Sequence, residues 1–464
     1  MVSRVLNSAN AFRRLLGMDR AVAYVFAAKA CMMLGSTGTV LLIAHFLSKI
    51  EQGYYYTLLS LINLQIVFEL GFSFVVLQLA AHEAVHLQFG IDGSIEGDPS
   101  RYARLVAILK KTVRWYFLAG LIMLASLLPG GIMFFRRTTP HDTAWFWPWT
   151  IAALATVVLF VLTPLCSFME GCGQVRQVAG MRFSQAILAV TATWSAMFLG
   201  KGLYAPGLVV IGNVVAVAVF LWRRRSLLLG LLRQNYDPLV LNWRAEVWSF
   251  QWKIAITWLC SYFTVQVLTP VLFASRGPVE AGRMGMSLSI SAYTWNLVFA
   301  WMSTKAAPFG QLVAKKDYEA LDHLFFHTLW ISLGILGAIV TSCMAGLLLI
   351  QRLFPNLASR MVSPQLFVLL LITAVSTLIV QSEAIYLRAH KEEPLLWQAL
   401  IVALLTSAGA YFAAPRWGIT GTCVVYFVCS GIIGVTSASI IFRSKRRSRE
   451  HSLSSHAPLL EIAS

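Results

Sequence analysis

From Tyr54 to Ala80 the chain runs through more mainly apolar residues than the roughly 20 that a helix needs to cross a bilayer. One carboxylate, Glu69, sits inside that run. A charge within a span is expensive, and it marks either a function or a buried partner. Ahead of the run, an apolar stretch ends near Leu47 and a polar turn follows from Ser48 to Gly53. Behind it come His82 and Glu83. Apolar runs of this kind recur almost to the end of the chain. Hydrophobic residues make up 58% and charged residues 12% of the 464 positions, against about 25% charge in soluble domains. The fold class is therefore an all-α polytopic membrane protein. The short alternating strands of a transmembrane barrel are not seen in the sequence.

The apolar runs predict twelve spans, near 22–47, 55–80, 113–135, 146–169, 178–200, 203–222, 251–273, 284–304, 326–350, 364–387, 395–413 and 419–442. Basic residues orient them, because cytoplasmic loops carry excess Lys and Arg. With both termini inside, the inner segments receive Arg4, Arg13, Arg14 and Arg20, then Arg101, Arg104, Lys110, Lys111 and Arg114, then Arg223, Arg224, Arg225 and Arg233, and finally Arg443, Lys445, Arg446, Arg447 and Arg449. The pair Arg136-Arg137 is the local exception, on the outside. A net charge of +17 raises the question of nucleic acid. Its concentration at span ends instead indicates topology signals and contacts with anionic membrane lipids, and no nucleic-acid partner is expected. The seven cysteines form no CxxC pair, so no metal site or disulfide framework is expected from them. The segments 223–250 and 305–325 are candidates for amphipathic helices in the interface.

A short pattern occurs twice. Phe46-Leu47-Ser48-Lys49 followed by Glu51-Gln52-Gly53 closes the first span, and Phe273-Ala274-Ser275-Arg276 followed by Glu280-Ala281-Gly282 closes the seventh. As a true repeat, it makes the chain two six-helix bundles related by a pseudo-two-fold along the membrane normal, since an even number of spans preserves direction. The domains are then an N-terminal lobe over 1–222, a cytoplasmic linker over 223–250, a C-terminal lobe over 251–442, and a basic then Ser-rich cytoplasmic tail over 443–464. Halves of this kind usually hold substrate near the midplane and rock about it.

The strongest candidate pair is Lys29 and Glu69. Their spans are sequential and so expected to be adjacent, and their depths from the outer end, roughly 27 and roughly 22 Å, differ by less than a lysine side chain. The pair is either a static salt bridge or a charged group facing a central cavity. Gln65, Gln78, Gln266, Asn296 and Gln381 are neutral hydrogen-bonding residues within spans, suited to interhelical bonds or to sugar contact. At the inner ends, His82, Glu83, Glu170, Arg182, Glu383 and Arg388 are candidates for a gate of ion pairs. His82-Glu83-Ala84-Val85-His86 is a literal HExxH, a zinc-hydrolase signature when it lies on one helix. It lacks a fixed third ligand here, so a polar cap is the preferred reading and no metal is expected. No P-loop, nucleophile elbow or dinucleotide fingerprint occurs, and no cofactor or enzymatic activity is expected.

The runs HFLSKIEQGYYYTLLSLINLQIVFELGFSFVVLQLAAHE, RYARLVAILKKTVRWYF, FQWKIAITWLCSYFTVQVLTPVLF and YLRAHKEEPL resemble the polysaccharide transporters, including the O-antigen flippases, of the multidrug/oligosaccharidyl-lipid/polysaccharide (MOP) exporter superfamily. The resemblance implies two lobes of six helices around a V-shaped cavity, in a bacterial inner membrane. It implies export of an undecaprenyl-pyrophosphate-linked oligosaccharide for surface polysaccharide, such as the O-antigen of lipopolysaccharide. The implied mechanism is alternating access with a cationic cavity and proton or sodium coupling, alongside polysaccharide-assembly proteins. Lys29 is the position best suited to such a cavity. The rival readings are an ion-coupled multidrug exporter of the same superfamily, a membrane enzyme (glycan polymerase, ligase or zinc protease), and a scaffold that recruits glycosyltransferases.

Overall fold

A computed structural model describes residues 20–89, 95–138, 143–234, 249–390 and 393–454. Each predicted span falls on helix. The first is α1 (Arg20–Phe46). The second is broken into α2 (Lys49–Ile62), α3 (Gln65–Glu69) and α4 (Phe72–Ala84), with a 45° bend between its halves. A small antiparallel hairpin follows, β1 (Leu87–Phe89) with β2 (Ile95–Gly97). Then come α5 (Pro99–Thr138), α6 (Phe146–Gly171), α7 (Val175–Phe198), α8 (Ala205–Arg223) and the short α9 (Arg225–Arg233).

The second half begins with α10 (Ser249–Ser261), a π-helical turn over Tyr262–Gln266, and α11 (Leu268–Arg276). It continues with α12 (Pro278–Ser303), α13 (Ala306–Ala314), α14 (Tyr318–Leu353), α15 (Pro355–Ala358) and α16 (Pro364–Ala389). It ends with α17 (Leu396–Tyr426), a π-helical stretch over Phe427–Gly434, and α18 (Val435–Ser454). Among the described residues, seven of these helices are long and apolar enough to cross a membrane alone, or eight with the bent pair. Within α1 the described apolar stretch is the shorter Gly35–Phe46. The eleventh and twelfth passes are counted as one helix from Leu396 to Ser448.

That last helix is in fact a hairpin. Gly418 has non-helical angles, φ 57 and ψ −141. Gln398 Nε2 donates to the Gly434 carbonyl at 2.9 Å, and Gly409 faces Val425, so the two arms run antiparallel. The turn is capped from outside. Arg276 donates to the carbonyls of Ala414, Pro415 and Arg416 at 3.1, 2.8 and 2.9 Å. Glu280 accepts the Ile419 N–H at 2.8 Å. Both ends of a broken helix, its orphan carbonyls and its orphan amide, are thus satisfied by side chains.

The chain divides into two compact units, Met1–Ala255 and Ile256–Ser464. Within the first, α1 packs on α7, α7 and α6 pack on α8, α5 packs on α6, and α4 packs on α5 and α6. Within the second, the equivalent helices pair in the same scheme: α11 on the first arm of α17, α16 on the second arm, α14 on α16, and α12 on α14 and α16. The twice-occurring turn pattern therefore sits at equivalent places. Its chemistry differs, however. Ser48 and Glu51 form a capping box within their own turn, at 3.1 and 2.8 Å, whereas Arg276 and Glu280 cap another hairpin.

Two expectations need correction. The second span is not one continuous helix, and the third helix begins at Pro99, fourteen residues before the span predicted from 113. Arg4, Arg13 and Arg14, most of the linker and the end of the tail lie outside the described residues.

Candidate functional site

Span two is broken by its backbone. Leu70 has φ 51 and Gly71 φ 66, two successive left-handed residues. Gly71 adopts this freely, but for Leu70 it costs on the order of 1–2 kcal/mol. Strain of this kind persists only where the surroundings enforce it. Glu69 is the last residue of α3 and is half-buried. Its carboxylate stands at a helix C-terminus, where carbonyl groups lack helical partners and the dipole is negative.

Ser73 follows Glu69 by four residues, across the break and in the first turn of α4. Ser73 Oγ is in turn 3.0 Å from Tyr116 Oη, on α5. Tyr116 is fully buried, stacked among Phe72 and Phe160. The result is a polar cluster, Glu69 with the bonded pair Ser73–Tyr116, beside aromatic rings. It lies about 20 Å along the helix from Glu83, well inside a hydrocarbon core of about 30 Å. Close helix approach holds it there. A Cβ added at Gly171 of α6 would lie 2.5 Å from the Leu77 carbonyl of α4.

At the end of α4, Glu83 is buried, with 2% of its side chain exposed. It receives Arg101 Nη1 at 3.0 Å and Arg104 Nε at 2.9 Å, both from the start of α5. His82 Nδ1 lies 3.7 Å from the same carboxylate and is 72% exposed. The helix stops at Ala84, so His86 leaves it and the HExxH imidazoles do not share a helical face. Glu83, held by two guanidinium groups, acts as the clasp between spans two and three rather than as a base for bound water. Glu83→Ala leaves two partly exposed arginines facing a void, and each charge-assisted bond is worth roughly 1.5–3 kcal/mol. The expected loss is about 3 kcal/mol, seen as a lower unfolding midpoint of purified protein. Replacing Glu83, Arg101 and Arg104 together by Met should recover part of it.

The remaining gate candidates are paired locally. Arg182 binds Glu170 through two bonds, at 3.1 and 2.6 Å. Arg388 binds Glu393 at 2.9 Å. Glu383 is buried and accepts from Ser439 Oγ of α18 at 2.7 Å, while its other oxygen has no hydrogen-bond partner among the described residues. Near it, Asp322 of α14 accepts from Tyr386 at 2.6 Å and from Arg446 at 2.7 Å.

The neutral candidates disperse. Gln65 and Gln266 are half-buried and Gln78 is exposed. Asn296 is exposed and donates back to the Ala292 carbonyl at 2.9 Å, which spends part of its bonding capacity. Gln381 lines a cavity of about 70 Å³ with Thr257, Arg388, Glu393 and Gln398. Lys29 lies on α1, but its side chain is outside the described residues, so the Lys29–Glu69 pair is not among the contacts seen. Sequence reasoning missed Ser73, Tyr116, Ser439, Asp322 and Tyr386. Ser73 was findable, being one helical turn beyond Glu69. The others come from distant spans.

No protein-family model matches the sequence, and no curated protein matches it. Solved structures do share the fold. An inward-facing multidrug resistance MATE family transporter of the MOP superfamily matches with a TM-score of 0.57 at 12% identity, covering 88% of this chain and 98% of its own. A variant of the Vibrio cholerae MATE transporter VcmN matches with a TM-score of 0.57 at 14% identity, over 92% and 96%. A MOP superfamily transporter from Pyrococcus furiosus, described as having a binding pocket of reversed polarity, matches with a TM-score of 0.55 at 13% identity, over 94% and 97%. The chain is a multi-pass helical membrane protein with the fold of MOP superfamily transporters.

Proposed function

We propose that this protein is a secondary transporter that works by alternating access. Its cargo is a lipid-linked oligosaccharide of the undecaprenyl-pyrophosphate type, moved across a bacterial inner membrane for surface polysaccharide export. The observation that carries the transport reading is Glu69 at the break in span two. Broken helices whose C-terminal ends and freed carbonyls meet an acidic residue suit proton or sodium binding, and irregular backbone at membrane depth is tolerated only where it is buried in protein or lines a water-filled cavity. Glu69 is the ion-coupling group in this reading, with the bonded pair Ser73 and Tyr116 beside it as its polar support.

The cargo rests on the resemblance of the span sequences to polysaccharide transporters and on what surrounds the helices. The connections expected outside are short: 47–48, 139–145, 199–204, Gly277, 354–363 and the turn at Gly418. None can supply the long, basic external loop of a glycan polymerase or ligase. A second reading, ion-coupled multidrug export, is supported by the solved structures that share the fold, several of which are named for it. One experiment separates the two. Deleting the gene should trap lipid-linked glycan on the cytoplasmic leaflet and leave sensitivity to cationic dyes unchanged. Normal glycan distribution with raised dye sensitivity would reverse the assignment.

A further inference from the structure

After α8 the chain bends at Arg224 and enters α9. Leu227, Leu228 and Leu231 are buried, and the helix packs on α5 and α8. Its far end is tied down by Lys110 of α5, which donates to the Gln234 carbonyl. The other face is open. Arg223, Arg225, Ser226, Leu229, Gly230 and Arg233 line a cleft of about 390 Å³. Three arginines and a serine are thus among its lining, and no carboxylate among the described residues pairs with Arg223, Arg225 or Arg233.

Arg225 is pre-positioned. Its guanidinium lies over the Trp222 ring, 4.6 Å from the centroid, and donates to the Trp222 carbonyl at 3.2 Å. A guanidinium carries five N–H donors in a fixed fork, so most of its donors remain for a ligand. Beside the cleft, Trp222 is 68% and Leu229 is 46% exposed. Cations set next to exposed apolar side chains at the end of a span match the boundary between head groups and acyl chains. A soluble anion would use the first feature and leave the second unexplained.

We propose that this cleft is a binding site for the phosphodiester head group of an anionic phospholipid, held by Arg223, Arg225 and Arg233 with its acyl chains against Trp222 and Leu229. The site lies within the first unit and is independent of Glu69 and of the cargo. It stands or falls apart from the transport assignment.

Gly230 provides a clean test. A Cβ there meets no atom within 4 Å, so a side chain enters the cleft without displacing anything, and leaving glycine favours a helix interior. Full-length protein is placed in nanodiscs of phosphatidylcholine with phosphatidylglycerol. The phosphatidylglycerol retained after detergent exchange is then read by native mass spectrometry. The wild type and G230A should retain it equally. R223Q/R233Q should retain it roughly thirtyfold more weakly, the equivalent of two cationic residues near an anionic surface, and G230E, which puts one carboxylate in the cleft, roughly fivefold more weakly. Inorganic phosphate should not displace the lipid. Wild-type retention in G230E and R223Q/R233Q overturns the proposal. So does equal loss in G230A, since charge would not then be what is recognised, and so does displacement by phosphate, which would make this a soluble-anion site.

Discussion

Glu69→Gln should abolish transport while leaving the amount of protein in the membrane unchanged. Gln has nearly the same shape, and the left-handed pair Leu70-Gly71 owes nothing to the carboxylate charge. The Ser73–Tyr116 hydrogen bond does not involve the substituted group. In the proposed mechanism, what would be lost is the group that takes up and releases a cation at the end of α3. The expected signature is uptake into proteoliposomes that no longer responds to an imposed proton or sodium gradient, with an unfolding midpoint close to wild type. Tyr116→Phe should weaken transport without abolishing it, because it removes a support of the group and not the group itself. Wild-type, gradient-driven transport by Glu69→Gln would remove this residue from the mechanism.

The largest structural effect is expected at Gly418. Its angles, φ 57 and ψ −141, belong to a region open almost only to glycine. A Cβ there would lie 2.6 Å from Glu280 Oε2, the oxygen that caps Ile419. Gly418→Ala therefore adds backbone strain of about 1–3 kcal/mol and displaces a charge-assisted bond worth roughly 1.5–3 kcal/mol. A loss of about 4 kcal/mol would open the last hairpin. Gly200 is the control, since it has φ 67 but nothing within 4 Å. Gly200→Ala should cost only about 1 kcal/mol. Thermal unfolding in detergent measures both. Equal midpoints for the two variants would mean that the Glu280 cap contributes nothing.

The fold class was legible because the bilayer dictates long apolar rods, and each predicted span falls on helix, although the third and ninth helices start fourteen and eight residues early. The break in span two was not, since Leu70 has no sequence mark of left-handedness; only Gly71 hints at it. The hairpin at Gly418 was legible as two spans because of Pro415, Arg416 and Gly418, although by composition it reads as one helix. At the candidate site, Glu69 stood out because a charge in an apolar run is rare. Its partners did not, because Ser73 and Tyr116 are unremarkable in such a run and meet only through the packing of α4 on α5. Glu83 carried a misleading signature: the HExxH letters are present, but the arginines that occupy the carboxylate lie eighteen and twenty-one positions downstream.

The paired turn patterns have separate futures under mutation. Ser48 and Glu51 answer only to each other, so that corner can exchange one capping combination for another in two steps. Arg276 and Glu280 grip a strip of backbone well over a hundred residues away. Drift at either is felt in a hairpin that did not change, and a swap of the two corners between halves would carry one piece of the bond and leave the other behind.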